Sequence, residues 1–574
     1  MREASNESSL DGAGAKPTGQ GTAHQPATVQ GAAADDPSRN PSRQAVGEAA
    51  PRDPAGEAAP RTPAGEAAQP APTGEPTGPM RDAPPVTQPA PGTDAPRKRA
   101  RYPSRNLPRQ LLRGSLSLSR WRTRLVLWGA AAFAGLVVVG FAKLADHALA
   151  LFFALHARHA WLPLLLAPPV GMLTVWLTRR YFAGSQGSGI PQVIAATRLA
   201  GHGRAVGHLV SLRIALGKIG LGAFALTGGF SAGREGPSVQ VAASIMHFAH
   251  RLLPNARAIR ASDLILAGGA AGVAAAFNTP LAGIVFAIEE LGKRLESRTS
   301  GVLVSTIIVS GLVSIALLGN YNYFGHMNVG EVTRRIAVPV LFYGLACGLA
   351  GGLFARLLLW PQRNPQAALW RWRTAHPVWF AGACGLIVAA LGFFGGGSSY
   401  GSGYGVTSRL VSGDLASSGL PWHAPFTRYF ATVFTYFSGI PGGIFAPSLA
   451  VGAAIGATTA PWIALTYTFN PAHGMGAEHV QIIALCMAGF LAAVTQSPVT
   501  AAIIVMEMID GHGMVISLMA VALLASAVSA RLSRELYQQL AVGFLADERA
   551  QESAGRDQPG EAAAPPGETP GRNG

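Results

Sequence analysis

Gly233-Arg234-Glu235-Gly236-Pro237 places a glutamate between glycines inside a long apolar region with few other charges. A carboxylate at membrane depth is costly and marks a functional site by default. Glycines leave neighbouring backbone N–H groups uncovered, and proline suits the first turn of a helix. The pentapeptide therefore reads as a helix N-terminus with amides facing outward, which favours an anion. Glu235 is then a tethered anion, able to occupy that place or vacate it. The plain alternative is a membrane-embedded turn in which Glu235 pairs with Arg234.

Three further clusters offer donors to the same anion. Gly187-Ser188-Gly189-Ile190-Pro191 supplies a hydroxyl and exposed amides at a helix start. Gly442-Gly443-Ile444-Phe445-Ala446-Pro447 supplies amides with no charge at all. Tyr537, read as lying near the end of the last apolar span, supplies a phenolic O–H. An anion leaving water needs replacement donors. A full Lys or Arg would hold it too tightly for rapid passage, whereas amides and hydroxyls set a moderate field.

The elements that must position these groups are membrane helices. The chain has 574 residues, 49% hydrophobic and 13% charged, and these averages hide three zones. Residues 1–118 are rich in Ala, Pro, Gly and Arg, with a short Gly-Glu-Ala-Ala repeat at Gly47, Gly56 and Gly65. Such composition builds no core and reads as disorder. Residues 119–543 are strongly apolar and contain stretches long enough to span a bilayer, among them Leu125 to Ala142, Ile336 to Ala355 and Met514 to Ala530. Residues 544–574 return to Gly, Pro, Ala and Glu and read as a disordered tail. The expected class is an all-α polytopic membrane protein.

The net charge of +15 is no nucleic-acid signal. Ten basic residues and no acidic one lie between Arg97 and Arg124, just before the first apolar span. The positive-inside rule then places the N-terminus in the cytoplasm, and the cluster can also touch anionic lipid. No signal peptide is expected, so the first span acts as its own insertion signal. Cys347, Cys384 and Cys486 are widely separated and fit small core residues rather than a metal or redox site.

Gly and Pro fall inside apolar runs as well as between them. Broken helices of that kind are tolerated where they line a cavity within protein. There is also an internal repeat. Gly233-x-x-x-Pro237-Ser-Val resembles Gly443-x-x-x-Pro447-Ser-Leu, and Ala274-Ala275-x-x-x-Thr279-Pro280 with Glu289 resembles Ala492-Ala493-x-x-x-Ser497-Pro498 with Glu507, in the same order. Two halves of about 200 residues follow, an arrangement that puts ion sites at the repeat interface of many transporters.

Gly-Ser-Gly-Ile-Pro, Gly-Arg-Glu-Gly-Pro and Gly-Gly-Ile-Phe-Ala-Pro in this order resemble the CLC family of chloride channels and chloride/proton exchangers. The resemblance covers the apolar zone and implies the CLC fold: two inverted-topology halves of tilted and broken helices, usually in a homodimer with one pathway per subunit. It implies that Ser188 and Tyr537 coordinate chloride by their hydroxyls and Ile444 and Phe445 by their amides. Glu235 matches the external gating glutamate, which also carries protons. Gly187, Gly189, Ile190, Pro191, Gly233, Arg234, Gly236, Pro237, Gly443 and Pro447 belong to the selectivity motifs. Lys218 matches a buried lysine that adds positive potential; its alternative is a helix-end lysine reaching the interface. Glu290, second acid of Ile288-Glu289-Glu290, matches the internal proton glutamate of exchangers, where channels commonly carry a non-acidic residue. From spacing alone, Glu290 would instead be a solvated helix-end charge beside Lys293 and Arg294.

The expected function is thus secondary active antiport of chloride against protons in the inner (plasma) membrane, with both termini cytoplasmic. The alternative within the family is a passive chloride channel gated by voltage or protons. Ser188 is the residue of chloride-type members, where nitrate types carry proline. The short tail lacks the nucleotide-binding CBS pair of many eukaryotic members, so no nucleotide partner is expected. No catalytic residue, metal or cofactor is expected either. Gly397-Ser398-Ser399-Tyr400-Gly401 fits the hydrolase pattern G-x-S-x-G formally but lacks a strand–turn–helix setting. Gly401 to Gly405 lacks the βαβ unit of a dinucleotide loop.

Overall fold

The computed structural model describes residues 118–556 apart from 254–258, 294–296, 320–321, 328–331, 333, 414–419 and 468–475. The expected N-terminal region ends where the described residues begin, so that expectation lies outside them. Nineteen α-helices follow one another among the described residues. The first eight are α1 (Leu118–Arg158), α2 (Leu162–Tyr181), α3 (Ile190–Gly201), α4 (Leu212–Thr227), α5 (Glu235–Ala249), α6 (Ala261–Phe277), α7 (Pro280–Phe286) and α8 (Ser297–Leu318). Next come α9 (Ala337–Leu358), α10 (Trp360–Arg363), α11 (Ala368–Ala375), α12 (Pro377–Phe394), α13 (Tyr404–Val411) and α14 (Ala424–Ser438). The chain closes with α15 (Phe445–Tyr467), α16 (Gly476–Thr495), α17 (Pro498–Ile509), α18 (Val515–Leu532) and α19 (Leu536–Arg556).

Seven of these helices are long and apolar enough to cross a membrane. Most turn large apolar side chains outward, as Leu125, Leu165, Phe394 and Ile516 show. Lipid is the solvent that such faces require. The span within α16 differs, because protein encloses almost all of it. The clusters read from the sequence lie at the starts of helices outside this set, α3, α5 and α15. Two boundaries differ from expectation. The final helix continues past residue 543 to Arg556, through part of the expected tail. Tyr537 is not near the end of the last span; it sits in the first turn of α19, after that span has closed at Leu532. A single turn at Ser533–Glu535 separates the two, and an apolar run alone does not reveal it.

The two halves answer to each other residue by residue. Helix α6 ends at Asn278 in the left-handed conformation (φ 58°), and α16 ends at Gln496 likewise (φ 60°). Proline then opens α7 and α17 at a position where its missing N–H costs nothing. Glu289 accepts the N–H groups of Val499 (3.2 Å) and Thr500 (2.6 Å) in the first turn of α17. Glu507 accepts those of Leu281 (3.2 Å) and Ala282 (2.7 Å) in the first turn of α7. Each carboxylate satisfies orphan donors at the positive end of the other half's helix. Gly233 and Gly443 exchange two N–H···O bonds of 2.7 Å each, as an antiparallel pair. Reciprocal contacts of this kind are the mark of a two-fold axis between the halves.

Replacing Glu507 by alanine should therefore cost about 1–3 kcal/mol by stranding two helix-start amides. A clearly lower unfolding midpoint in detergent is the expected reading. An unchanged midpoint would show that the reciprocal caps contribute nothing to holding the halves together.

Candidate anion site and its two carboxylates

The loop before α3 is built by glycine geometry and a buried cation. Gly187 and Gly189 adopt φ of 65° and 100°, which L side chains avoid. Gly189 N–H donates to Gln192 Oε1 (3.1 Å), closing the helix start. Lys218 lies in the middle of α4, completely buried, so it is not a helix-end lysine reaching the interface. Its Nζ donates to the carbonyls of Ser185 (2.8 Å), Gly187 (2.6 Å) and Gln186 (3.4 Å). The ammonium is thus spent on fixing the loop, and its charge stands one residue away from Ser188.

Three helix N-termini meet at this loop. Gly187 N–H donates to Ile440 O (3.1 Å) and Gly442 N–H to Gly187 O (3.0 Å), which ties the α3 loop to the α15 loop. The Gly233–Gly443 pair ties α5 to α15. A Cβ on Gly236 would stand 2.5 Å from Ser188 Oγ, so only glycine permits this approach of α5. The first N–H groups of α3, α5 and α15 have no acceptor within their own helices. Ser188 is 2% exposed and Tyr537 0%, and neither Ser188 Oγ nor Tyr537 OH has a hydrogen-bond partner. Ile444 and Phe445, at the start of α15, are buried as well. Two hydroxyls and several amides, all dry and all donors, suit an anion better than any other ligand. The Tyr537 hydroxyl faces that of Ser188 and lies within electrostatic reach of both Glu290 and Glu235.

Glu235 opens α5 and is 1% exposed. Its Oε1 accepts a hydrogen bond from Tyr323 OH (2.8 Å), while Oε2 is buried without a partner. The carboxylate lies against Gly233, in the space a side chain there would fill. Arg234 does not form the ion pair of the plain alternative. Its guanidinium donates to Ala142 O (2.7 Å) and pairs with Asp146 on α1. Tyr323 was not singled out by the sequence, because it lies in the connection after α8. The signal is there in retrospect: Tyr321, Tyr323 and Phe324 crowd three aromatics into a stretch otherwise mostly of Asn, Gly and His. Phe277 and Phe286 complete the wall, with ring centroids 5.4 and 6.4 Å from that of Phe445.

Glu290 occupies a π-helical turn, Ala287–Gly292, directly after α7. Such turns concentrate at functional sites. It is 2% exposed, which overturns the reading from spacing alone of a solvated helix-end charge. Ser497 Oγ donates to its carboxylate, and Gln538 Nε2 donates to its carbonyl (2.7 Å) and approaches Oε1 (3.5 Å). Arg198 in turn holds Gln538. Lys293 pairs with Glu535 at the surface close by, while Arg294 lies outside the described residues.

On the Ser188 side a cavity of about 270 Å³ reaches Gln186, Gly187 and Ser188 and is walled by Arg373 and Tyr436. A second, of about 320 Å³, shares Gln186 and Arg373 and adds Arg179. Among the described residues neither wall carries a carboxylate. Burial lowers the Arg373 pKa from the ordinary guanidinium value. The Gly397–Gly401 segment has a structural use instead of a nucleophile: its carbonyls at Ser398, Tyr400 and Gly401 accept from all three guanidinium nitrogens of buried Arg428. Among the described residues no cluster of His, Cys, Asp or Glu could hold a metal, and the three cysteines are free and buried.

Comparison with known proteins bears on this geometry. The model of the voltage gated chloride channel family matches residues 170–530. The H(+)/Cl(-) exchange transporter ClcA of Cronobacter sakazakii is 29% identical over 462 residues, which is 77% of this chain and 94% of that protein. ClcA of Salmonella typhi is 29% identical over 411 residues, 70% of this chain and 82% of that protein. Among solved structures, a slow cyanobacterial Cl-/H+ antiporter superposes with a TM-score of 0.62 at 24% identity, covering 75% of this chain and 99% of its own. A CLC-type fluoride/proton antiporter gives 0.58 at 23%, covering 72% and 96%. These superpositions show that the fold is shared.

Removing either orphan hydroxyl should weaken anion binding. Ser188→Ala and Tyr537→Phe are each expected to raise the dissociation constant for a halide by about 10- to 150-fold, the range for losing one hydrogen bond to a charged partner. Calorimetry in detergent reads this directly. A binding isotherm identical to that of the unsubstituted protein would remove that hydroxyl from the site.

Proposed function

Because the chain belongs to the voltage gated chloride channel family, we propose that it is a secondary active antiporter that moves chloride in exchange for protons. The observation that carries this reading is the pair of buried carboxylates, Glu235 and Glu290, both within electrostatic reach of Tyr537. The named relatives, exchange transporters by description, support it. A passive channel would have no use for Glu290, whose burial is costly and is supported by dedicated partners.

In the proposed cycle chloride reaches Ser188 from the arginine-walled cavities and gives up its water. The hydroxyls of Ser188 and Tyr537 and the amides of Ile444 and Phe445 replace that water. Lys218 adds positive potential without touching the ion, so release stays fast. The Glu235 carboxylate competes for the same helix-start amides. A proton arriving by way of Glu290 neutralises Glu235, removes its claim on those amides and lets chloride take its place. Deprotonation to the other side returns the carboxylate. Each proton delivered thereby licenses chloride movement in the opposite sense.

Every group named comes from one chain, so a homodimer with one complete pathway per subunit is the assembly we propose. We place it in the inner membrane with both termini cytoplasmic, in keeping with the basic cluster ahead of α1. The reading calls for no cofactor, metal, nucleotide or nucleic acid, and for transport rather than catalysis of a chemical reaction.

Two substitutions test the roles in liposomes. Glu235→Gln resembles the protonated state permanently, so it should abolish proton movement while chloride flux continues. Glu290→Gln should stop proton movement and leave chloride binding intact. Proton pumping that survives in either variant would remove that residue from the proton route.

A further inference from the structure

We propose that Tyr323 is the latch of the Glu235 gate: its phenol holds the carboxylate in the blocking position against Gly233 and so sets how well chloride competes. The inference rests on the exchange reading only in taking Glu235 as chloride's competitor. Tyr323 OH donates to Glu235 Oε1 at 2.8 Å, and the ring is 1% exposed, so water does not replace this bond. Hydrogen bonds to a charged acceptor are about twice as strong as neutral ones.

The ring is fixed from every side. Its centroid lies 4.9 Å from that of Phe324, 5.1 Å from Tyr404 and 5.4 Å from Phe277, each edge-on. The Arg234 guanidinium stands 6.0 Å from its centre, within reach of the ring face. The backbone is pinned too. Phe324 N–H donates to Met508 O (3.0 Å) and Met327 N–H to Ile509 O (3.0 Å), at the C-terminal end of α17. A phenol held this firmly is a preorganised donor. It favours the carboxylate in one place and offers nothing once the carboxylate has left. Tyr323 is thus a positioning residue: it acts on the anion site through Glu235 and does not itself reach Ser188 or Tyr537 in this arrangement.

Tyr323→Phe keeps the ring and its packing and removes only the donor. The apparent affinity of a ligand falls with the fraction of protein in a competent state, so freeing the carboxylate raises it. Chloride titrated calorimetrically into the purified full chain should bind up to about tenfold more tightly in Tyr323→Phe than in the unsubstituted protein. In a Glu235→Ala background, where no carboxylate remains to be held, the same substitution should change nothing. A merely structural role for the phenol would shift affinity equally in both backgrounds. That result, or an unchanged affinity in the first comparison, overturns the latch. Proton flux in Glu235→Ala alone reports on the exchange reading separately: proton movement persisting there contradicts the gate role, whatever the calorimetry gives.

Discussion

The anion site we propose is built of dipoles rather than a cation. Three helix N-termini and two hydroxyls converge on one buried place, and the nearby ammonium of Lys218 is turned away into three carbonyls. This constraint accounts for much of the architecture. Helix starts can meet in mid-membrane only if helices are broken there. Broken helices expose backbone that must be satisfied by other protein segments, since lipid offers no partners. The reciprocal Gly233–Gly443 bonds and the Gly187 bonds to Ile440 and Gly442 meet that need, and glycine at 236 leaves room for them.

The same geometry places the acids. Helix starts that attract an anion also attract a carboxylate, so Glu235 at the first position of α5 is a built-in competitor. Helix α17 links its surroundings to those of Glu290. At its start, Ser497 touches the Glu290 carboxylate and Glu289 caps the first turn. At its end, Met508 and Ile509 anchor the segment that carries Tyr323. One twelve-residue helix therefore lies beside Glu290 at its start and, at its end, anchors the segment whose Tyr323 holds Glu235. Its counterpart α7 leads into the π-turn that holds Glu290.

Much of this was legible in the sequence because Gly and Pro inside apolar runs have few other uses. Ser188, Glu235, Ile444 and Phe445 all sit at helix starts marked in that way. The repeat was legible in Thr279-Pro280 with Glu289 and Ser497-Pro498 with Glu507, although the letters did not say that each glutamate caps the other half's helix. Glu290 shows the limit of local reading. Spacing beside Lys293 suggests a solvated charge, and only packing of Ser497 and Gln538 from the second half buries it. Tyr537 lay beyond a turn that apolar periodicity cannot mark. Tyr323 and Arg428 depend on contacts with residues far away in the chain, which no local pattern carries.

The central claim is that chloride and proton movements are linked in one pathway. Its most direct test is the reversal potential of the purified protein in liposomes, with a fixed chloride gradient and an imposed pH gradient. Linked exchange requires the reversal potential to shift with the pH gradient and to fall short of the chloride equilibrium value. A reversal potential that stays at the chloride value at every pH would make the protein a passive channel and leave buried Glu290 without its transport role.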